Sequence, residues 1–468
     1  MYVPPFRRLR AVLSILLCLV LVAACGKSSN SNPSNSNTTD TKTSYVRMIN
    51  AIPDAPSLTF SQQSTVVGSA SFGQSSTAYT TTDAKTVSFS VLYQSSDGIM
   101  RTLQSNISVN IANTHEIYVL MYGTFAAPQF KVIDNDAIIP QKDSNGNLIV
   151  TNTLNVQFAE AVDLGQSVDV YLTAFNDPLA GATPTTVSFG DVSAQVQVDA
   201  GTNYQLRVTP AGDNTTILYD SGKLSLTSNI NQIFLLENYF GPGTDQLRAV
   251  SIYSGVSSTL VNENLPTQLR VANFISTAPS IDVYFGNTNV PPEFGNVTYG
   301  TYSTYQTFTP GAQSINVTPQ GNNLTFLYEK NMTFNAGEIK TLYVAGDPST
   351  TAGISGVAIL EDKRPIATQL KLKFVDASAN AGAVDFYVLQ PGQPFTDATA
   401  ASSGAQFLSY ATVPVATGSY DLVVTLHGQN TIIAGPTRIS IDVGNWSAVL
   451  TDAPGGGPPY NLVISEDL

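Results

Sequence analysis

Few residues in this sequence carry groups suited to catalysis or metal binding, so their spacing decides what chemistry is open to them. There are two cysteines and two histidines in 468 residues. His115 follows Asn113-Thr114 and His427 precedes Gly428, so each is expected in a surface turn. Neither has a cysteine or a second histidine at metal-ligand spacing. A serine hydrolase would want a Gly-x-Ser-x-Gly elbow, which is missing. Gly26-Lys27-Ser28 matches the end of a phosphate-binding loop, but Leu21 stands where that loop needs its first glycine. Asp143-Ser144-Asn145-Gly146-Asn147 looks like a calcium loop. It lacks the sixth-position glycine and the later glutamate, and Asn-Gly favours a tight turn. No enzyme activity, cofactor or metal is expected.

Two further sets of residues deserve weighing for a site. Asp169, Asp282 and Asp385 recur at one position of a repeated strand. Each alternates with apolar neighbours, so its side chain should leave the core and hydrogen-bond loop N–H groups, fixing the first connection of its repeat. Thr59 holds that position in the first copy, which suits a structural role better than an obligatory charge. Tyr299, Tyr302, Tyr305 and Phe308 fall at every third residue, like a sugar-stacking platform. Aligned with Phe189, Val192, Gln195 and Val198, three of them read as core, leaving Tyr305 as the candidate ligand contact. Carboxylate pairs such as Glu361-Asp362 sit at repeat junctions and read as solvated charge.

The elements that must position these residues are strands. Four segments begin alike: Val46–Ala51, Val156–Ala161, Leu269–Phe274 and Leu372–Ala377. A second strand opens 12 residues later in every copy, at Leu58, Val168, Ile281 and Val384. Phe72, Phe189, Tyr299 and Phe407 then mark a common later point. Each copy holds about seven or eight short strands between turns, which is the pattern of a β-sandwich. The chain therefore divides into 1–24, 25–44, and four sandwiches at 45–150, 151–265, 266–366 and 367–468. Four such domains in a line would extend about 130 Å.

Composition and the first residues supply an address. Only 12% of residues are charged and the formal net charge is −13, so there is no basic footprint for nucleic acid. Arg7, Arg8 and Arg10 precede the apolar run Ala11–Ala24, which is too short to span a bilayer and suits a signal peptide. Val22-Ala23-Ala24-Cys25-Gly26 resembles the bacterial lipobox, in which the cysteine is acylated and becomes residue one. Cys25 is thus the expected lipid anchor, with Gly26 favouring the outer membrane. Fourteen of the eighteen residues from Lys27 to Ser44 are Ser, Asn or Thr. That segment reads as a tether holding the first domain roughly 20–25 Å from the lipid.

The small loop with Ala-Pro-Ser (Ala55-Pro56-Ser57, Ala278-Pro279-Ser280) followed by Asp-Val-Tyr resembles the bacterial domain-of-unknown-function family 4397. The resemblance implies exported or surface-anchored proteins with tandem immunoglobulin-like sandwiches, and it brings no catalytic residues. The expected fold is all-β, with four tandem immunoglobulin-like antiparallel sandwiches. The expected function is that of a non-enzymatic, membrane-anchored cell-envelope lipoprotein, an interaction or spacer module facing the periplasm or the cell surface. Its partners would be the bilayer through Cys25, and envelope polysaccharide or a surface protein. The alternatives are an adhesin-like carbohydrate- or peptide-binding protein and, behind it, an envelope hydrolase with paired carboxylates across a cleft.

Overall fold

A computed structural model describes residues 42–138, 141–142, 148–149, 151–243, 247–442 and 444–467. Cys25, the signal peptide, nearly all of the tether and the Asp143–Asn147 turn lie outside these residues. Ser44, assigned to the tether from sequence, is the first residue of a strand. Among the described residues there is no α-helix, and one 3-10 turn at Phe395–Asp397 interrupts the strands.

All four repeats are β-sandwiches of two sheets. In repeat 1 the first sheet runs Gln74–Ser75 and Tyr79–Thr81, then Ser44–Asn50, His115–Thr124 and Ala127–Asp136. The second sheet runs Thr65–Ala70, Leu58–Gln62, Lys85–Gln94 and Met100–Ile111. Alternation explains the interior: Val46, Met48, Leu58, Phe60, Val87, Phe89 and Val91 point between the sheets and pack with Ile117 and Val119. Separate cores fill repeats 2, 3 and 4. One pairing per repeat departs from the antiparallel rule. The opening strand pairs parallel with a late strand of the same repeat, as in Val46 with Ile117, Val156 with Gln232, Leu269 with Lys340 and Leu372 with Trp446.

The first sheets are buried on both faces. Ile117–Tyr122, Ile233–Leu236 and Leu342–Ala345 are continuous buried runs rather than alternating ones. Their second faces meet a neighbouring repeat. Tyr118, Leu120 and Ile133 of repeat 1 pack on Ala159, Ile233, Leu235 and Val250 of repeat 2. Phe274, Tyr343 and Ile359 of repeat 3 pack on Val375, Ala377 and Val449 of repeat 4. Fully burying one such aromatic side chain stabilises by roughly 1.5–3 kcal/mol. The marker aromatics lie along these contacts. Phe189 sits edge-on to Tyr122, 5.3 Å between centroids, Phe407 packs into the repeat 3–4 cluster, and the Tyr299 hydroxyl donates to the Asp452 carbonyl at 2.7 Å.

Repeats 1 and 2 therefore form one pair, and repeats 3 and 4 another, in place of the length that four domains in a line would have. The two pairs also touch. Arg364 Nη1 donates to the Pro53 and Ala55 carbonyls at 3.1 and 2.7 Å, and the Ala367 N–H donates to Asp54 at 2.8 Å. The Tyr239 hydroxyl donates to the Gly337 carbonyl.

Candidate functional site

The recurring acid does hydrogen-bond loop N–H groups, but not those of the first connection. Asp282 Oδ1 accepts from Asn296 N and Oδ2 from Gly321 N, both at 2.8 Å. Asp169 Oδ2 accepts from Gly212 N at 2.8 Å, with Thr186 on Oδ1. Asp385 takes Ser403 and Gly404 at 2.7 Å, His427 Nδ1 at 2.8 Å and Gly428 N at 3.3 Å. The acid thus ties an edge strand to the turn of the following hairpin, where Gly212, Gly321 and Gly428 occupy equivalent places. Burial opposes ionisation of Asp385, yet His427, Ser403 and the two glycine N–H groups outweigh it and bring its pKa down to about 2. The other histidine, His115, contacts Asp134 and Asp136 at the start of its strand.

What fixes the first connection is the residue four places after Val46, Val156, Leu269 and Leu372, at or near the end of each opening strand. Asn50 donates to the Pro56 and Ala70 carbonyls and accepts the Ile52 N–H. Asn273 does the same with Ala278, Val297 and Ile275. Glu160 and Asp376 replace it in repeats 2 and 4, and both are fully buried.

Glu361 and Asp362 differ from each other. The Glu361 side chain is largely covered, with Oε2 2.6 Å from Lys373 Nζ, and Lys373 also lies 3.2 Å from Asp467. Arg270 completes the group by pairing with Asp467. Solvated charge is thus right only for Asp362, which is exposed and 2.6 Å from Lys371. The distance in sequence between Arg270, Glu361, Lys373 and Asp467 hid this network. Above it, Tyr305 is half-buried, its ring 5.0 Å from the Arg270 guanidinium carbon and 4.5 Å from Lys363 Nζ. Tyr299 and Tyr302, expected in a core, lie instead at the contact between repeats 3 and 4.

Beside Lys363 opens a cavity of about 670 Å³, walled by Ser71 and Phe72 of repeat 1, Tyr239, Phe240, Arg248 and Val261 of repeat 2, Asn335–Ile339 of repeat 3 and Leu360–Arg364 of the junction. Its size suits a small-molecule site. Phe72 holds two guanidinium groups, with Arg248 at 4.9 Å and Arg364 at 5.2 Å from its ring centre. Gly73 makes this approach feasible. Its φ is +75°, and a Cβ there would stand 2.6 Å from Glu237 Oε1. Glu237 is fully buried under Arg248, which lies 2.7 Å away through Nε. Burial nevertheless pushes its pKa up to about 7 against the pull of Arg248.

The loop Ala278-Pro279-Ser280 and buried Asp282 lie near the start of a stretch that matches a known family. Residues 267–387 match the Domain of unknown function (DUF4397). The DUF4397 stretch begins on the opening strand of repeat 3 and ends on the second strand of repeat 4, Val384–Leu389. No curated protein matches the chain. Among solved structures, the Bacillus anthracis TIE protein aligns over 87% of this chain and 68% of its own, at 11% identity and a TM-score of 0.16. A TM-score that low carries no argument about fold or function.

Proposed function

We propose that the protein is a non-enzymatic cell-envelope lipoprotein, anchored through acylated Cys25, whose folded repeats form an interaction module. The observation that carries this reading is the cavity walled by three repeats and a junction. A simple spacer has no use for such a meeting point. Each carboxylate on its wall is held by a lysine at 2.6 Å: Glu338 by Lys340, Glu361 by Lys373 and Asp362 by Lys371. Carboxylates held in this way suit structure better than the proton transfers of a hydrolase. The lipid anchor rests on Val22–Cys25 and the tether on the Ser, Asn and Thr run that follows.

The test combines both parts on intact cells. Cys25→Ser should abolish palmitate labelling and release the protein from the membrane fraction. A photoreactive side chain at Val261, on the cavity wall, should capture one discrete envelope component in the anchored protein. Persistent labelling of Cys25→Ser would contradict the anchor, and absence of any capture from Val261 would contradict the interaction role.

A further inference from the structure

The cavity has an imbalance of charge. Its carboxylates are already matched by Lys340, Lys371 and Lys373, which are not part of the wall. Its cations are not equally matched. Arg248 pairs with Glu237, whereas neither Lys363 nor Arg364 has a carboxylate at ion-pair distance among the described residues. Arg364 spends Nη1 on two backbone carbonyls, and Lys363 rests on the Tyr305 ring. Burial, with Arg270 nearby, holds the Lys363 ammonium below the usual lysine range. In a chain of net charge −13, two cations on the cavity wall that make no direct ion pair suit an anion, although Glu361 lies within electrostatic reach of Lys363 and Asp362 of Arg364. The wall also carries the apolar and aromatic side chains of Tyr239, Phe240 and Val261.

We infer that this cavity binds an acidic saccharide, its carboxylate met by Lys363 and Arg364 and a sugar ring face laid on the aromatic wall. This rests on reading the cavity as the interaction site. A guanidinium presents paired N–H groups in the plane a carboxylate needs. A pyranose ring offers C–H groups on one face and hydroxyls at its rim, which suits a wall of aromatic faces beside polar Asn335 and Ser71. An acidic peptide would favour a sheet edge or an extended groove, and a cavity walled by three repeats and a junction is neither. Tyr305 thereby gains a place in the site at one remove, as the ring that positions Lys363.

Isothermal titration of the mature full-length protein with trigalacturonic acid, maltotriose and triglutamate tests this. Trigalacturonic acid should bind with an affinity that falls as salt rises, at least tenfold more tightly than maltotriose. Lys363→Gln should weaken it roughly tenfold, as expected for loss of one charged hydrogen bond. Leu360→Glu, at an exposed position of the wall, should abolish binding, while Lys131→Gln on an exposed face of repeat 1 should change nothing. Unchanged thermal midpoints would show that these variants fold. Equal affinity for maltotriose, indifference to Lys363→Gln, or binding of triglutamate in place of the saccharide would each overturn the ligand class. The interaction role would then still be decided separately by capture from Val261. Absence of all binding would overturn the proposal.

Discussion

Asp376 shows how one atom changes the behaviour of a repeat. Asn50 and Asn273 each offer an amide that donates to loop carbonyls and an oxygen that accepts a loop N–H. Asp376 keeps the second function, with Oδ1 accepting from Ser378 N at 3.0 Å, but Oδ2 has no partner among the described residues. Burial raises its pKa to about 7 despite that hydrogen bond, and Asp452 adds to the rise. The folded protein therefore holds this proton while the unfolded chain, titrating near 3.9, has lost it. The stabilisation is complete below that value and disappears as pH rises through about 7. Asp376→Asn restores the donor without a charge. At pH 8 it should stabilise repeat 4 by about 1–3 kcal/mol and at pH 3.5 scarcely at all. Urea midpoints read from hydrogen exchange of repeat 4 check this, and equal shifts at both pH values would contradict it. Sequence spacing aligned these four positions but could not show that they share one loop, because the partners are backbone atoms.

Strands were the most legible elements. A spacing of 12 between the first two strands of each copy marks four sandwiches, and alternation around Val46, Phe60 and Val91 marks their interiors. The pairing of repeats was written more faintly. Runs such as Ile117-Tyr118-Val119-Leu120 are too continuously apolar for a sheet with one wet face, and that excess is the signal for a second buried face. Alternating polar residues around them masked it, since Glu116, Arg270 and Lys373 look like surface residues until their partners are known. Arg270, Glu361, Lys373 and Asp467 settle the matter at the contact between repeats 3 and 4. Burial tends to raise the Asp467 pKa, but Lys373 and Arg270 outweigh it and hold it low. This contribution is present above the unfolded carboxylate value and is lost as pH falls through the depressed one, opposite in sign to Asp376. Lys373→Met would leave Glu361 and Asp467 sharing Arg270 alone. Removing one partner from a buried group of this kind costs about 3–5 kcal/mol. Hydrogen exchange should accelerate in Leu370–Asp376 and Asn445–Thr451 first, and unchanged exchange there would show that the network is dispensable.

At the scale of the molecule, repetition of a scaffold produces something that no single copy contains. The cavity needs Phe72 from repeat 1, Tyr239 and Arg248 from repeat 2, Gly337 from repeat 3 and the Lys363-Arg364 junction. A string of independent sandwiches would lack it, so the interaction role depends on the repeats folding back on one another. Small-angle scattering from residues 42–468 measures that dependence most directly. A compact body of this length has a radius of gyration near 22 Å, whereas four sandwiches extended over about 130 Å would give roughly 38 Å. The packed pairs predict a value within a few ångströms of the former. A value near the latter would contradict the paired arrangement and remove the cavity with it.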